Sequence, residues 1–252
     1  MTIVPTALFS NAAQNLRLLK SAPLSWAWAA VILGVQGLVT VVGGADQEPA
    51  GSWFFTMGLS REGILEGEIW QIFTYGFLHG GWFHAGMNAL FVLSIGSRIE
   101  HVAGRSILMK VMIFGIVGGG VSHLLLAAGG AGAPLLVGLS GGCIALLLLL
   151  TTLSPQSRMM PLPISARSLG LGVLAAELIL ALLDPALRIP GFASWGGKLV
   201  EHGLGSWFRL GHACHFGGGV AGWMLGRWLL RPRITLKRLR RKRERREASE
   251  AD

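Results

Sequence analysis

Ser140 is the residue of this sequence whose type and surroundings best suit a catalytic nucleophile. It lies in a Gly-Leu-Ser-Gly-Gly segment directly before a leucine-rich run. A helix that begins there leaves its first backbone N–H groups unpaired, and such groups can stabilise a developing oxyanion. A serine hydroxyl also needs a general base, so the hypothesis requires a histidine within reach. The serine and its glycines alone equally fit a small-residue face for helix packing.

His215 is the histidine that we expect to serve as this base. It precedes Gly218, Gly222 and Gly226, which recur every four residues. In a helix this spacing gives a face without side chains, on which another helix can pack almost backbone to backbone. If that partner carries Ser140, the serine and His215 meet at one end of the contact. A lone histidine here is equally explained by a structural hydrogen bond.

His84 and Asn88 are candidates for binding the oxyanion. They are four residues apart and therefore project from one face of a helix. Both side chains offer N–H donors, as an oxyanion site requires. His79 precedes this helix, and we expect it to be structural and to hold the preceding loop. For Glu177, inside another apolar segment, we expect a structural hydrogen bond to a neighbouring helix.

Long apolar segments must position these residues. The chain has 252 residues, of which 52% are hydrophobic and 14% charged, with a mean hydropathy of +0.55. Soluble domains carry about 25% charged residues, so the composition predicts an all-α membrane protein. A membrane-crossing helix needs about 20 apolar residues. The candidate segments are 23–44, 82–98, 106–128, 136–153, 169–183 and 210–230, with the semi-apolar stretch 69–78 leading into the second.

These segments divide the chain into a short cytoplasmic segment 1–22, a six-helix membrane domain 23–230 and a basic cytoplasmic tail 231–252. The first apolar segment is too long for a signal-peptide core, and we expect it to be a retained span. The two cysteines, Cys143 and Cys214, lie in apolar or glycine-rich segments. We interpret both as small core residues rather than as a disulfide framework.

The placement of Lys and Arg predicts the orientation. Arg17 and Lys20 precede the first apolar segment, and 11 of the 22 basic residues lie from Arg227 to Arg246. The loop 45–68 instead holds one arginine against five acidic residues. Because cytoplasmic loops carry the excess of basic residues, both termini are expected in the cytoplasm.

In this orientation the second, fourth and sixth spans run from outside to inside. Their first turns carry His84, Ser140 and His215, which are therefore expected at one depth near the outer surface. Polar residues at membrane depth usually face the bundle interior or a water-filled cavity. The orientation thus predicts a shared site.

The basic tail directly follows an apolar span without a nucleic-acid motif, which favours anionic lipid headgroups over nucleic acid as its partner.

The ordered set of these residues resembles the rhomboid family of intramembrane serine proteases. The resemblance runs from about residue 67 to residue 226. The matching positions are Trp70, Phe77, Leu78, His79, His84, Asn88, Gly96, Glu100, Gly138, Ser140, Gly141, His215, Gly217, Gly218, Ala221 and Gly222.

The resemblance implies a six-helix rhomboid bundle that works by a Ser140–His215 dyad without an aspartate. It also implies that His84 and Asn88, with the Ser140 backbone amide, bind the oxyanion. The expected activity is endoproteolysis of single-span membrane proteins, without a cofactor or metal. The expected location is a bacterial-type inner (plasma) membrane, with multiple spans.

Three features depart from the family pattern. Gln71 follows Trp70 where the family commonly has Arg. The loop 184–209 is long and lies after the fifth span, beside which family members admit substrate, so it could alter gating or substrate choice. Glu177 has no assigned place in the pattern.

Three other functions remain open. A metal-dependent hydrolase could use His79, His84, His212 and His215, although a His-Glu-x-x-His motif and an acid at the outer ends of the second, fourth and sixth spans are missing. A proteolytically inactive relative could bind client transmembrane helices, although such relatives generally lack the Ser or His. A transporter would be expected to show internal repeats and paired broken helices, which the sequence lacks.

Overall fold

The computed structural model describes residues 18–44, 47–126, 135–158, 164–232, 240–241 and 243–244. Apart from two isolated β-bridges, the regular elements in these ranges are helical, which confirms the predicted all-α class. Most of the predicted N-terminal segment 1–22 and most of the basic tail 231–252 lie outside the described residues.

The helices follow one another in this order. They are α1 (Pro23–Val41), α2 (Ala50–Met57), α3 (Arg61–Leu65), α4 (Gln71–Thr74), α5 (Trp82–Phe91), α6 (Ser97–Ala103), α7 (Arg105–Leu126), α8 (Ser140–Leu153), α9 (Ala166–Leu183), α10 (Phe192–Leu199) and α11 (His212–Leu229). A π-helical turn, Val92–Gly96, joins α5 to α6. Among the described residues, α1, α7 and α9 are long and apolar enough to cross a membrane by length and composition, and α8 is a shorter apolar helix.

The fourth apolar segment begins its helix later than predicted. The prediction placed the start at Leu136, but Leu136 pairs with Leu59 in an antiparallel bridge, each backbone N–H donating to the other carbonyl at 3.0 Å. Gly138 then has φ +117°, outside the helical region, and α8 starts only at Ser140. The 14-residue helix is about 21 Å long. Ser140 therefore stands at a true helix N-terminus.

The second apolar segment is longer than predicted. Its helix passes Arg98 and ends at Ala103. The charged residue Glu100 lies in this extension and has partners there. Its carboxylate accepts hydrogen bonds from the backbone N–H groups of Leu24 and Ser25 at 3.1 and 2.9 Å. These are unpaired donors in the first turn of α1, so Glu100 caps that helix from a neighbour. The stretch 69–78 forms separate short helical turns instead of leading into α5.

The glycine stripe of α11 packs directly on α8. A Cβ at Gly218 would overlap the carbonyl oxygen of Gly141, and a Cβ at Gly222 would overlap that of Ala145. Only glycine at these positions lets the two backbones come this close. The other side of α11 packs equally closely on α7, where a Cβ at Gly217 would overlap the Ser122 side chain. Helix α11 thus lies between α7 and α8.

Gly222→Ala is expected to destabilise the protein by about 1–3 kcal/mol, because the added methyl group forces α11 away from α8. Unfolding in detergent micelles measures the change. Gly34→Ala is the matched control, since Gly34 lies within α1 with no other atom within 4 Å of its added Cβ. It should leave stability unchanged or raise it by up to about 1 kcal/mol. Equal stability of the two variants would contradict the close packing of α11 on α8.

Candidate active site

Ser140 is the first residue of α8, and the residues before it fix its position. The Gly138 N–H donates to the Tyr75 carbonyl at 2.9 Å, and the Leu139 N–H donates to His79 Nε2 at 3.4 Å. The Ser140 side chain is half-buried. As the first residue of a helix, it leaves its own N–H without an intrahelical partner. The site therefore contains a serine hydroxyl beside a helix N-terminus.

His215 lies in the first turn of α11 with its ring against this serine. Its Nε2 is 2.8 Å from Ser140 Oγ, a hydrogen-bond distance. A neutral imidazole nitrogen at this distance can accept the hydroxyl proton. The ring is accessible to a limited degree, since 15% of the side chain is exposed.

Small residues set the register that brings His215 to Ser140. A Cβ at Gly141 would lie 2.8 Å from the sulfur of Cys214, the residue before His215. Cys214 Sγ also lies 3.5 Å from the Tyr75 hydroxyl. Both Cys143 and Cys214 are free and buried, which confirms their interpretation as core residues.

His84 contacts Gly138 and Asn88 contacts Cys143, residues that precede and follow Ser140 in the chain. The His84 ring occupies the space beside Gly138, where a Cβ would lie 2.7 Å from His84 Nε2. The positive φ of Gly138 and this contact both exclude a larger residue. Asn88 is buried and its Oδ1 lies 3.6 Å from Cys143 Sγ, while its Nδ2 has no hydrogen-bond partner among the described residues. An unpaired buried donor near the serine suits an anionic ligand atom.

His79 lies behind this group. It is buried, accepts the hydrogen bond from the Leu139 N–H and contacts the His84 ring edge-on at 5.0 Å. Its contacts are therefore with the loop before Ser140 and with His84.

Both ring nitrogens of His212 have partners other than Ser140. Its Nδ1 lies 2.6 Å from Glu177 Oε2, and its Nε2 lies 2.9 Å from the Trp207 carbonyl oxygen. The predicted hydrogen bond from Glu177 to a neighbouring helix is thereby confirmed.

Glu177 also reaches the histidine that contacts the serine. Its Oε2 lies 3.2 Å from His215 Nδ1, although the direction of approach does not meet the angle of a hydrogen bond. The resemblance implied a dyad without an acid, so a carboxylate beside His215 is a feature that sequence comparison missed. Helical spacing is the sequence signal that could have shown that Glu177 faces other helices. Leu174, Glu177 and Ala181 share the face of α9 that points into the bundle.

A different group of three residues, within the described part of the chain, could hold a metal ion. Glu177, His212 and His215 each offer a ligand atom, and these atoms lie within 4.8 Å of one another. Two histidines and a glutamate are a zinc-binding set. The sequence analysis noted that the outer ends of the second, fourth and sixth spans carry no acid, and the acid of this group comes instead from the fifth apolar segment.

The other departures from the expected pattern have structural partners. Gln71 is buried, accepts from the Ser60 N–H at 3.0 Å and donates to the Phe55 carbonyl at 3.1 Å, so it ties together the loop between α2 and α4. The long loop 184–209 contains α10 and ends in a 3-10 turn, Gly205–Arg209. Through Trp207 that turn contacts His212.

Comparison with known proteins places this arrangement in a family. The family model of the Rhomboid domain matches residues 66–232, more than half of the chain. An 82-residue segment, 32% of this chain, is 35% identical to Rhomboid-related protein 3 of Homo sapiens and covers 19% of that protein. The chain thus aligns with less than a fifth of the human relative. The matched range includes the serine, both oxyanion candidates and the histidines of α11, and the chain belongs to the rhomboid family.

Proposed function

We propose that this protein is an intramembrane serine endopeptidase with Ser140 as nucleophile and His215 as general base. The observation that carries the proposal is the 2.8 Å contact between His215 Nε2 and Ser140 Oγ at a helix N-terminus. Membership of the rhomboid family supports the same activity.

In the proposed reaction His215 removes the proton of Ser140, and the serine oxygen attacks the carbonyl carbon of the scissile peptide bond. His215 then protonates the leaving amine, and the peptide bond breaks to give an acyl-enzyme. Water, activated by His215, hydrolyses the ester and restores Ser140. No group beyond these two side chains and water is needed for proton balance.

We assign the oxyanion to His84, Asn88 and the Ser140 backbone N–H. The unpaired Nδ2 of buried Asn88 supports this assignment, because a carbonyl oxygen that becomes negative would supply the missing acceptor. The place of His84 against Gly138, two residues before Ser140, brings a second donor to the same region.

The proposed substrates are single-span membrane proteins whose helices unwind easily, since a peptide bond in an intact helix cannot enter the site. We infer that they approach beside α9. In the span windows of α1, α7 and α9, the buried shares are 33%, 39% and 17%, so α9 is the least enclosed. A helix with few internal contacts is the one most easily displaced.

We further propose six spans, with both termini in the cytoplasm, in a bacterial-type inner membrane. The helix 82–103 and the helices α8 and α11 would complete α1, α7 and α9 as spans. The charge distribution supports the orientation, and the basic tail would contact anionic headgroups.

A client-binding protein without proteolytic activity is the second candidate function. A rhomboid fold without hydrolysis would bind transmembrane helices at the same site. A metal-dependent hydrolase is the third candidate, favoured by the proximity of Glu177, His212 and His215.

Ser140→Ala and His215→Ala are each expected to abolish cleavage of tagged single-span proteins, because nucleophile and base act as a unit. A fluorophosphonate probe should label wild type and fail to label Ser140→Ala. The matched controls are Ser206→Ala and His202→Ala, at exposed positions of the long loop. Cleavage without labelling would argue against a serine nucleophile, and neither cleavage nor labelling in wild type would favour the client-binding function.

Chelators are expected to leave the cleavage rate unchanged. A metal-dependent hydrolase would instead lose activity on chelation and retain it in Ser140→Ala. Cleavage measured with each change alone therefore separates the two enzyme classes.

Asn88→Ala is expected to lower kcat about 10²- to 10³-fold with a smaller effect on KM, because it removes a donor that acts on the oxyanion of the transition state. His84→Ala should behave similarly. Gln36→Ala is a control for loss of a buried polar side chain, since Gln36 is buried in α1 and its amide bonds to Thr40 of the same helix. Unchanged kcat in Asn88→Ala would remove Asn88 from the oxyanion site.

The orientation predicts that green fluorescent protein fused after residue 252 fluoresces in a bacterial host, whereas alkaline phosphatase fused there is inactive. Alkaline phosphatase fused after residue 135, in the loop before α8, should be active. The reverse pattern would contradict cytoplasmic termini.

A further inference from the structure

Helix α9 contains a carboxylate that the proposed mechanism does not use. Glu177 lies in the middle of α9, between the apolar residues Leu174 and Ala181. Only 16% of its side chain is exposed. An ionisable group in such a position is costly and is generally retained for function.

Two contacts fix the position of this carboxylate. The Trp207 carbonyl can only accept, so His212 Nε2 must carry the proton in their 2.9 Å contact. His212 Nδ1 and the Glu177 oxygen, 2.6 Å apart, then share a second proton. The carboxylate is thereby held against the first turn of α11, where His215 also lies.

The protonation of His215 decides whether Ser140 can react. A neutral imidazole carries its proton on one nitrogen only. To accept the Ser140 proton through Nε2, His215 must carry its own proton on Nδ1. That nitrogen has no hydrogen-bond partner among the described residues, and the Glu177 oxygen lies 3.2 Å from it.

We propose that Glu177 is a positioning residue that keeps the His215 proton on Nδ1 and stabilises the imidazolium formed when His215 takes the Ser140 proton. A negative charge at 3.2 Å favours a proton on the nearer nitrogen even where the angle is poor for a hydrogen bond. Glu177 then supports the Ser140–His215 dyad through His215, without contacting the reacting atoms itself. This inference rests on the proposed function of Ser140 and His215.

His212 has a supporting part in this arrangement. It takes the second proton beside Glu177 and connects that carboxylate to the Trp207 carbonyl. The turn 205–209 at the end of the long loop therefore holds the acid in place. The loop contributes to the site through the Trp207 carbonyl, which contacts His212 and not the reacting atoms.

Steady-state cleavage by Glu177→Gln tests the proposal. We expect kcat to fall about 10²- to 10⁴-fold with KM within about a factor of two, since the wrong tautomer of His215 cannot act as base. Glu177→Asp keeps the charge and should recover part of kcat. Glu201→Gln, an exposed carboxamide substitution in the long loop, is the matched control and should match wild type. If Glu177→Gln fails to fold, Glu177→Met offers an apolar side chain of similar length for the same measurement.

The tautomer of His215 is measured separately from activity. Imidazole nitrogen NMR of ¹⁵N-histidine protein in micelles, with the His215 signals assigned by His215→Asn, should show Nδ1–H in wild type. It should show a shift toward Nε2–H in Glu177→Gln and no shift in Glu201→Gln. An unchanged His215 tautomer in Glu177→Gln, or kcat within twofold of wild type, overturns the inference. If wild type neither cleaves nor labels, the proposed function fails, and the NMR comparison still decides whether Glu177 sets the tautomer.

Discussion

The approach of α11 to α8 is the contact on which the candidate site depends. Gly218 and Gly222 lie against the carbonyl oxygens of Gly141 and Ala145, without room for a Cβ at either position. At this separation the first turns of both helices meet, and the histidine ring spans the remaining distance to the serine hydroxyl. A methyl group at either position would overlap these carbonyl oxygens and force the two helices apart. The glycines thus set the distance between Ser140 and His215 as well as stabilising the fold.

The start of α8 is the second constraint. A continuous helix from residue 136 would have paired the N–H of Ser140 with a carbonyl four residues earlier. Gly138 prevents this, since its positive φ interrupts the chain and its missing side chain makes space for the His84 ring. One glycine therefore leaves the amide of Ser140 unpaired and admits an oxyanion candidate beside it. Helix α8 is short because it begins only after Gly138.

Buried polar groups stabilise the fold only where they are paired. The described structure pairs them in a connected order, from the Trp207 carbonyl through His212 and Glu177 to the neighbourhood of His215 and Ser140. Three side-chain nitrogens of this group, Asn88 Nδ2 and the Nδ1 atoms of His79 and His215, have no hydrogen-bond partner among the described residues. In an apolar environment an unpaired donor costs free energy, so such a group is expected where a ligand completes the pairing.

The sequence by itself determined the all-helical class, the family and the residues of the candidate site. These follow from local information, since the length of apolar segments, the four-residue spacing of polar residues and the positions of glycines can be read directly from the sequence. It did not determine the start of α8, because an apolar run looks alike whether its first residues are helical or paired with Leu59. Nor could it place Glu177 beside His215. They are distant in the chain, and only the packing of α9 on α11 decides which side chain a buried carboxylate meets.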